Sequence, residues 1–322
     1  MGAKKTAKWM AVLACLLFFV GVAPILGAAK EKYEEKFSKT VSLAKDGEVT
    51  IENVSGSVEV KTWDKGEVKI DATKVSSAST LSRAKENAAK VEIIVEKEGN
   101  TLNIGTEYPE RRERHWGEDS LNVSVSYMVM IPAKAAVKVY VTSGNVDLEG
   151  IGGMTKVKTT SGRVELRKAS QDVDLDVVSG RIDVQDVTGN TYLHTISGNI
   201  TAEGIKGSIK ATVVSGDIDL RDVSEADTVE AKITSGSVSY EGEIRSGGRY
   251  TLTSHSGSVE MIVPAGSKFE FEAKTFSGRI YTDFEVKVSG EISKRKLSGV
   301  VNDGGAVVEL TTFSGSINLK KR

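Results

Sequence analysis

Acidic residues recur at matching places along the sequence: Asp147, Glu165, Asp183, Asp219 and Glu260, each set between two apolar residues. Carboxylates stacked in such a row could hold calcium, a hard cation that takes oxygen ligands. They could also work as a general acid opposite a general base, the pairing that cleaves glycosidic bonds. Arg163 and Arg181 stand two residues before Glu165 and Asp183 and would answer their charge along the diagonal. Thr201 and Ser239 interrupt the row. The simpler account is a solvated sheet face with mixed charges.

Other chemistry finds fewer candidates. Cys15 is the one cysteine and falls in an apolar N-terminal run, so the rest of the chain has no thiol nucleophile, disulfide or thiolate metal site. His115, His194 and His255 are far apart in sequence, which argues against a shared zinc ion. Serines are plentiful, but those before glycine belong to a repeat, so none stands out as a nucleophile. No Gly-x-Ser-x-Gly has the strand–turn–helix setting that a nucleophile elbow needs. No cofactor is expected.

The repeat is what must position the carboxylates. "TTSGRVEL" at 159–166 returns as "VVSGRIDV", "TISGNITA" and "VVSGDIDL" at steps of eighteen residues. The Ser-Gly pairs at Ser143, Ser161, Ser179, Ser197 and Ser215 keep that step, and those at Ser235, Ser256 and Ser277 come at twenty or twenty-one. "NVSGSVEV" from Asn53 and "TTFSGSINL" from Thr311 are outlying copies. Alternating apolar triplets flank each pair, such as Val173, Leu175 and Val177 before, and Ile182 and Val184 after. Period two places each triplet on one face of a strand. "EGIGG", "DVTGN" and "EGIKG" separate the strands as turns, with no room for a crossover helix.

One such unit cannot bury its apolar face, but a stack of them can. The predicted fold is therefore all-β: a parallel β-solenoid, like a single-stranded β-helix, built of two-strand coils of 18–21 residues. Each strand pairs with its equivalent in the next coil, at about 4.8 Å per step. The glycine marks a corner, where positive φ is needed. A β-sandwich of antiparallel meanders is the competing fold, and the constant step argues against it.

The row just before each Ser-Gly holds Val178, Ile196 and Val214. Strict alternation would turn them outward as an apolar stripe of the kind that meets partners. A wide corner that must be filled would instead bury them, and the expectation is burial.

Domain organisation follows. Residues 1–29 are expected to be a signal peptide, with Lys4, Lys5 and Lys8 before an apolar run and small residues up to Ala29. Uncleaved, the same run is an N-terminal membrane anchor. Either way the expected location is extracytoplasmic: periplasm, cell surface or secreted. Residues 30–118 read as a β-rich cap, with a helix near 79–90 in "SASTLSRAKENAAKV". A solenoid needs its open edge covered. The charged loop "EYPERRERHWGEDS" offers Arg112 and Trp116 as contacts, or is simply solvated. Residues 119–322 are the coils. Charge is nearly even, with 43 basic and 44 acidic residues among 322, so no nucleic-acid footprint is present.

The chain from about residue 45 onward resembles a known family, the DUF4097-type adhesins of bacteria, loosely related to autotransporter-adhesin heads. The resemblance is carried by "IENVSGSVEVKTWDKGEVKI", by the Ala-rich helix followed by "VEIIVEKEGNTLNI", by "MVMIPA", by the run of Ser-Gly units and by "GGAVVELTTFSGSINL". It implies a β-solenoid exposed outside the cytoplasmic membrane, and it carries over no catalytic residue. The expected function is a non-enzymatic envelope protein, an adhesin or scaffold that offers a repetitive β surface to glycan, lipid or protein. The alternative is a carbohydrate-active β-helix enzyme, a polysaccharide lyase or hydrolase that uses the outward carboxylates.

Overall fold

The computed structural model describes residues 30–109, 121–289 and 293–322. The expected signal segment lies outside them. Among the described residues no helix is long and apolar enough to cross a membrane.

The alternating triplets form strands, and the strands stack in parallel. Among the described residues they build a 13-stranded and a 14-stranded sheet. The strand before each Ser-Gly joins the larger sheet and the strand after it joins the smaller. Equivalent residues stand opposite one another: Val164 lies between Val146 and Ile182, and Leu166 between Leu148 and Val184. The inward triplets of both sheets share one apolar core that runs the length of the stack. This parallel, in-register pairing is the solenoid and excludes an antiparallel sandwich.

Each coil turns at its Ser-Gly, and backbone hydrogen bonds continue around the corner. The Gly162 N–H donates to the Ser179 carbonyl at 3.1 Å, and the Val164 N–H to the Arg181 carbonyl at 2.9 Å. Gly162 has φ 138°, and a methyl group placed on it would lie 2.0 Å from the Gly144 carbonyl oxygen. No L side chain fits either the conformation or the gap.

The inward residue two places before the serine often carries a hydroxyl. Thr312 donates to the Gly257 carbonyl at 2.7 Å, Ser254 to Gly236 at 2.8 Å and Thr275 to Gly315 at 3.0 Å. These buried hydroxyls satisfy corner carbonyls. Thr155 and Thr191, by contrast, hold hydroxyls that are buried and have no partner.

Stacking departs from the expected chain order in two places. Residues 48–63, assigned above to the cap, are themselves a coil. Val49 and Ile51 stand opposite Val137 and Val139, and Val58 and Val60 opposite Val146 and Leu148. Helix and hairpin interrupt the repeat in sequence, yet the inward Val and Ile of this unit match the next coil, and burial brings them together. At the other end, the coil that turns at Ser314 does not follow the one at Ser277. It slots between those at Ser256 and Ser277, its corner accepting from the Gly257 N–H and donating through the Gly315 N–H to the Ser277 carbonyl.

Antiparallel pieces cover the ends. Glu31–Ser42 pairs with Glu67–Ala78, which pairs with Val123–Pro132 on the smaller sheet. The hairpin Glu92–Glu98 and Thr101–Glu107 extends the larger one. The helix expected near 79–90 is Leu81–Ala89, with the Thr80 hydroxyl accepting from the Arg83 N–H. Its buried face is Ala84 and Ala88, and the Lys74 ammonium donates to the Ala88 carbonyl at 3.1 Å, a cation at the negative helix end. At the far end Phe269–Ser277 is covered by the antiparallel strand Lys296–Val301.

Gly162→Ala is expected to destabilise the protein by at least about 1–3 kcal/mol in urea unfolding, through overpacking and a forbidden φ. Thr312→Val should cost about 1 kcal/mol in the same assay and Thr191→Val should leave stability unchanged or raised, because only the first hydroxyl has a partner to lose.

Candidate functional site

The carboxylate row lies on the outer face of the smaller sheet, where register brings Asp147, Glu165 and Asp183 side by side, one coil apart. Thr201 then separates Asp183 from Asp219. The row is already answered by arginine. The Arg163 guanidinium donates to Glu165 and reaches Asp183 at 3.1 Å. Arg167 also donates to Glu165. Asp219 is held by Arg221, whose Nε lies 3.1 Å from it. Arg221 stands two residues after its partner, on the opposite side from the arginines expected to answer the row. Among the described residues the Arg181 side chain has no ion pair.

An open depression of about 290 Å³ is lined by Arg163, Glu165, Arg181, Asp183, Thr201 and Glu203. Two of its carboxylates, Glu165 and Asp183, are engaged by guanidinium groups. Among the described residues no three His, Cys, Asp or Glu side chains converge as metal ligands. Asp183 and Asp219 stand two coils apart in the row with Thr201 between them.

Val178, Ile196 and Val214 are 43%, 44% and 43% exposed, so the expected burial is overturned. The reason is the glycine corner. The neighbouring coil's backbone occupies the space beside each corner glycine, and the inward Val177, Thr195 and Val213 already close the core, so alternation leaves the next residue outside. The outward row runs the whole stack: Val54, Thr142, Thr160, Val178, Ile196, Val214, Thr234, His255, Phe313 and Phe276. It contains no Lys, Arg, Asp or Glu. At its end Phe276 stacks on Phe313 with centroids 4.6 Å apart, and Phe313 on His255 at 5.0 Å.

Two rows further into the larger sheet the surface is charged and mostly paired. Lys156 meets Asp174 at 2.5 Å, and Lys138 meets Glu48 at 2.8 Å. Glu230 takes Lys232 at 2.5 Å and Lys210 at 3.2 Å. The hydrogen bond from Lys232 holds the Glu230 carboxyl below the usual range, against the opposing effect of burial. His194 pairs with Asp176 at 3.0 Å and lies away from His255. His115, Arg112 and Trp116 lie outside the described residues.

The fold and its outward rows define a class: a parallel β-solenoid whose corners are glycine and whose faces are ladders of like-placed side chains. The Toastrack DUF4097 family model matches residues 47–320, and the chain belongs to that family. No curated protein matches it. Among solved structures it is similar to a protein of Parabacteroides distasonis named as a candidate adhesin, at 14% identity and TM-score 0.42 over 89% of this chain and 97% of that one. A candidate cell adhesion protein of Clostridium sporogenes is similar at 11% identity and TM-score 0.31, over 90% and 100%. A candidate lipid-binding protein of Parabacteroides distasonis is similar at 15% identity and TM-score 0.35, over 88% and 96%.

Because the Glu230 pKa is lowered in the folded state, its contribution is present above the unfolded value of about 4.3 and is lost as pH falls through the folded one. Lys232→Ala should raise the Glu230 pKa in a carboxyl NMR titration and cost less than about 1 kcal/mol at neutral pH, since the lysine is half exposed.

Proposed function

We propose that this protein is a non-enzymatic envelope protein that works as a rigid adhesin or scaffold. The carrying observation is the uniform outer surface. Each coil repeats the same outward positions, so binding groups are laid out in rows along a rod of about 45 Å at the usual strand spacing. A surface of that kind suits an extended partner: glycan, lipid headgroups or protein. The resemblance of its motifs to those of bacterial adhesins supports the reading. The pairing of Glu165, Asp183 and Asp219 with arginines supports a structural role for the carboxylate row.

Location outside the cytoplasmic membrane belongs to the same proposal and is supported by the charged, then apolar, then small-residue pattern of residues 1–29. Cleavage there would leave a free rod, and retention would tether it to the membrane by that segment.

Cell fractionation with N-terminal sequencing should find the protein outside the cytoplasm. In a panel of polysaccharides the purified protein should show no lyase or hydrolase activity. A measurable activity that disappears in Asp183→Asn would overturn the non-enzymatic reading, and cytoplasmic retention of the full chain would overturn the envelope one.

A further inference from the structure

Beside its corner, the outer face of the larger sheet carries two adjoining rows of different character. One is Glu52, Tyr140, Lys158 and Asp176, each opposite the next in register. The other is the stretch of the apolar row from Val54 to Val178. Between them runs an open groove of about 400 Å³. Val54 and Val178 are 44% and 43% exposed, and nothing among the described residues covers them.

The polar side of this groove differs from the rest of its sheet. Lys138, Lys156, Lys210, Lys232 and Lys274 are each engaged by a carboxylate. Glu52 and Lys158, among the described residues, have no side-chain partner, although Tyr140 and Asp176 stand beside them in register. The groove therefore joins uncommitted hydrogen-bonding groups to an aromatic ring and a line of methyl groups.

That combination selects among occupants. Two carboxylates against one ammonium disfavour a polyanion. An acyl chain would cover the methyl groups but strip water from Glu52 and Asp176 without replacing it. A protein partner would need about 800 Å² on each side, more than two single-file rows provide. A sugar chain offers C–H faces for the methyl groups and the tyrosine ring, and hydroxyl edges for the carboxylates and the amine. The coil spacing of about 4.8 Å is close to the length of one hexose unit, so equivalent side chains can meet successive sugars.

We infer that this groove binds a neutral glycan chain lying along the rod. Val54, Thr160, Val178 and Tyr140 form the apolar contact, and Glu52 and Lys158 take the hydroxyls, with Asp176, already engaged by His194 at 3.0 Å, closing the polar edge. The inference rests on the envelope-binding reading above and names its ligand class and site.

The test is calorimetric titration of the purified protein with cellohexaose, chitohexaose and maltohexaose, and sedimentation with phosphatidylglycerol vesicles. At least one hexasaccharide should bind. Tyr140→Ala and Val178→Asp should each weaken it at least tenfold, and Tyr140→Phe should not. Arg163→Ala, on the opposite sheet, should leave affinity within twofold. Thermal melts check that every variant is folded. If none of the three sugars binds, or if the tyrosine variant binds them unchanged, the inference fails. Vesicle binding that depends on Tyr140 would also overturn it, by giving the groove to lipid. Sugar binding that is lost in Arg163→Ala instead would sink this site while leaving the envelope-binding reading standing.

Discussion

At each Ser-Gly corner one backbone rests directly against the next, with room for a hydrogen atom and none for a methyl. The carbonyl of Gly144 occupies the place where a side chain on Gly162 would begin. This contact sets how closely each corner seats on the next along the rod. The inward residues already close the core, so alternation up to the corner leaves the residue before each serine outside. The exposed row is thus a by-product of the corner, and every candidate binding surface on the larger sheet inherits its position from it.

The corner also explains an irregularity in the core. The inward position before it accepts Val, Ile, Ser and Thr, because the glycine carbonyl nearby is an unmet acceptor that a hydroxyl can satisfy. Thr195 and Thr312 read as polar breaks in an apolar triplet until that acceptor is seen. Valine at the same place gives up the hydrogen bond and gains apolar burial. The two are close in free energy, which is why the repeat tolerates both.

How much of this was legible depends on range. Val164, Leu166 and Val177 could be placed inward from their spacing alone, because period two is a local property of a strand. The fold class and the helix near residue 80 followed in the same way. The exposure of Val178, Ile196 and Val214 is not legible in that way, because it depends on how the corner is filled by residues from the rest of the coil. The coil at Ser55 reads as part of the cap, because its partner at Ser143 is separated from it by a helix and a hairpin. The pairing of Arg163 with the carboxylates is visible in the spacing, whereas that of Arg221 is not, because partners can lie on either side of an acid in sequence. The groove at Tyr140 had no linear signature at all: Glu52, Tyr140, Lys158 and Asp176 are neighbours only through register.

The insertion of the coil at Ser314 between those at Ser256 and Ser277 makes this rod unlike a simple stack of plates. Each earlier coil can settle on its predecessor as it is made. The coil at Ser277 has no such seat when it is made, since its proper neighbour lies further along the chain. The rod's end is therefore closed by a segment from further along the chain, and only with Ala306–Lys321 in place do the coils at Ser256 and Ser277 both have their neighbour.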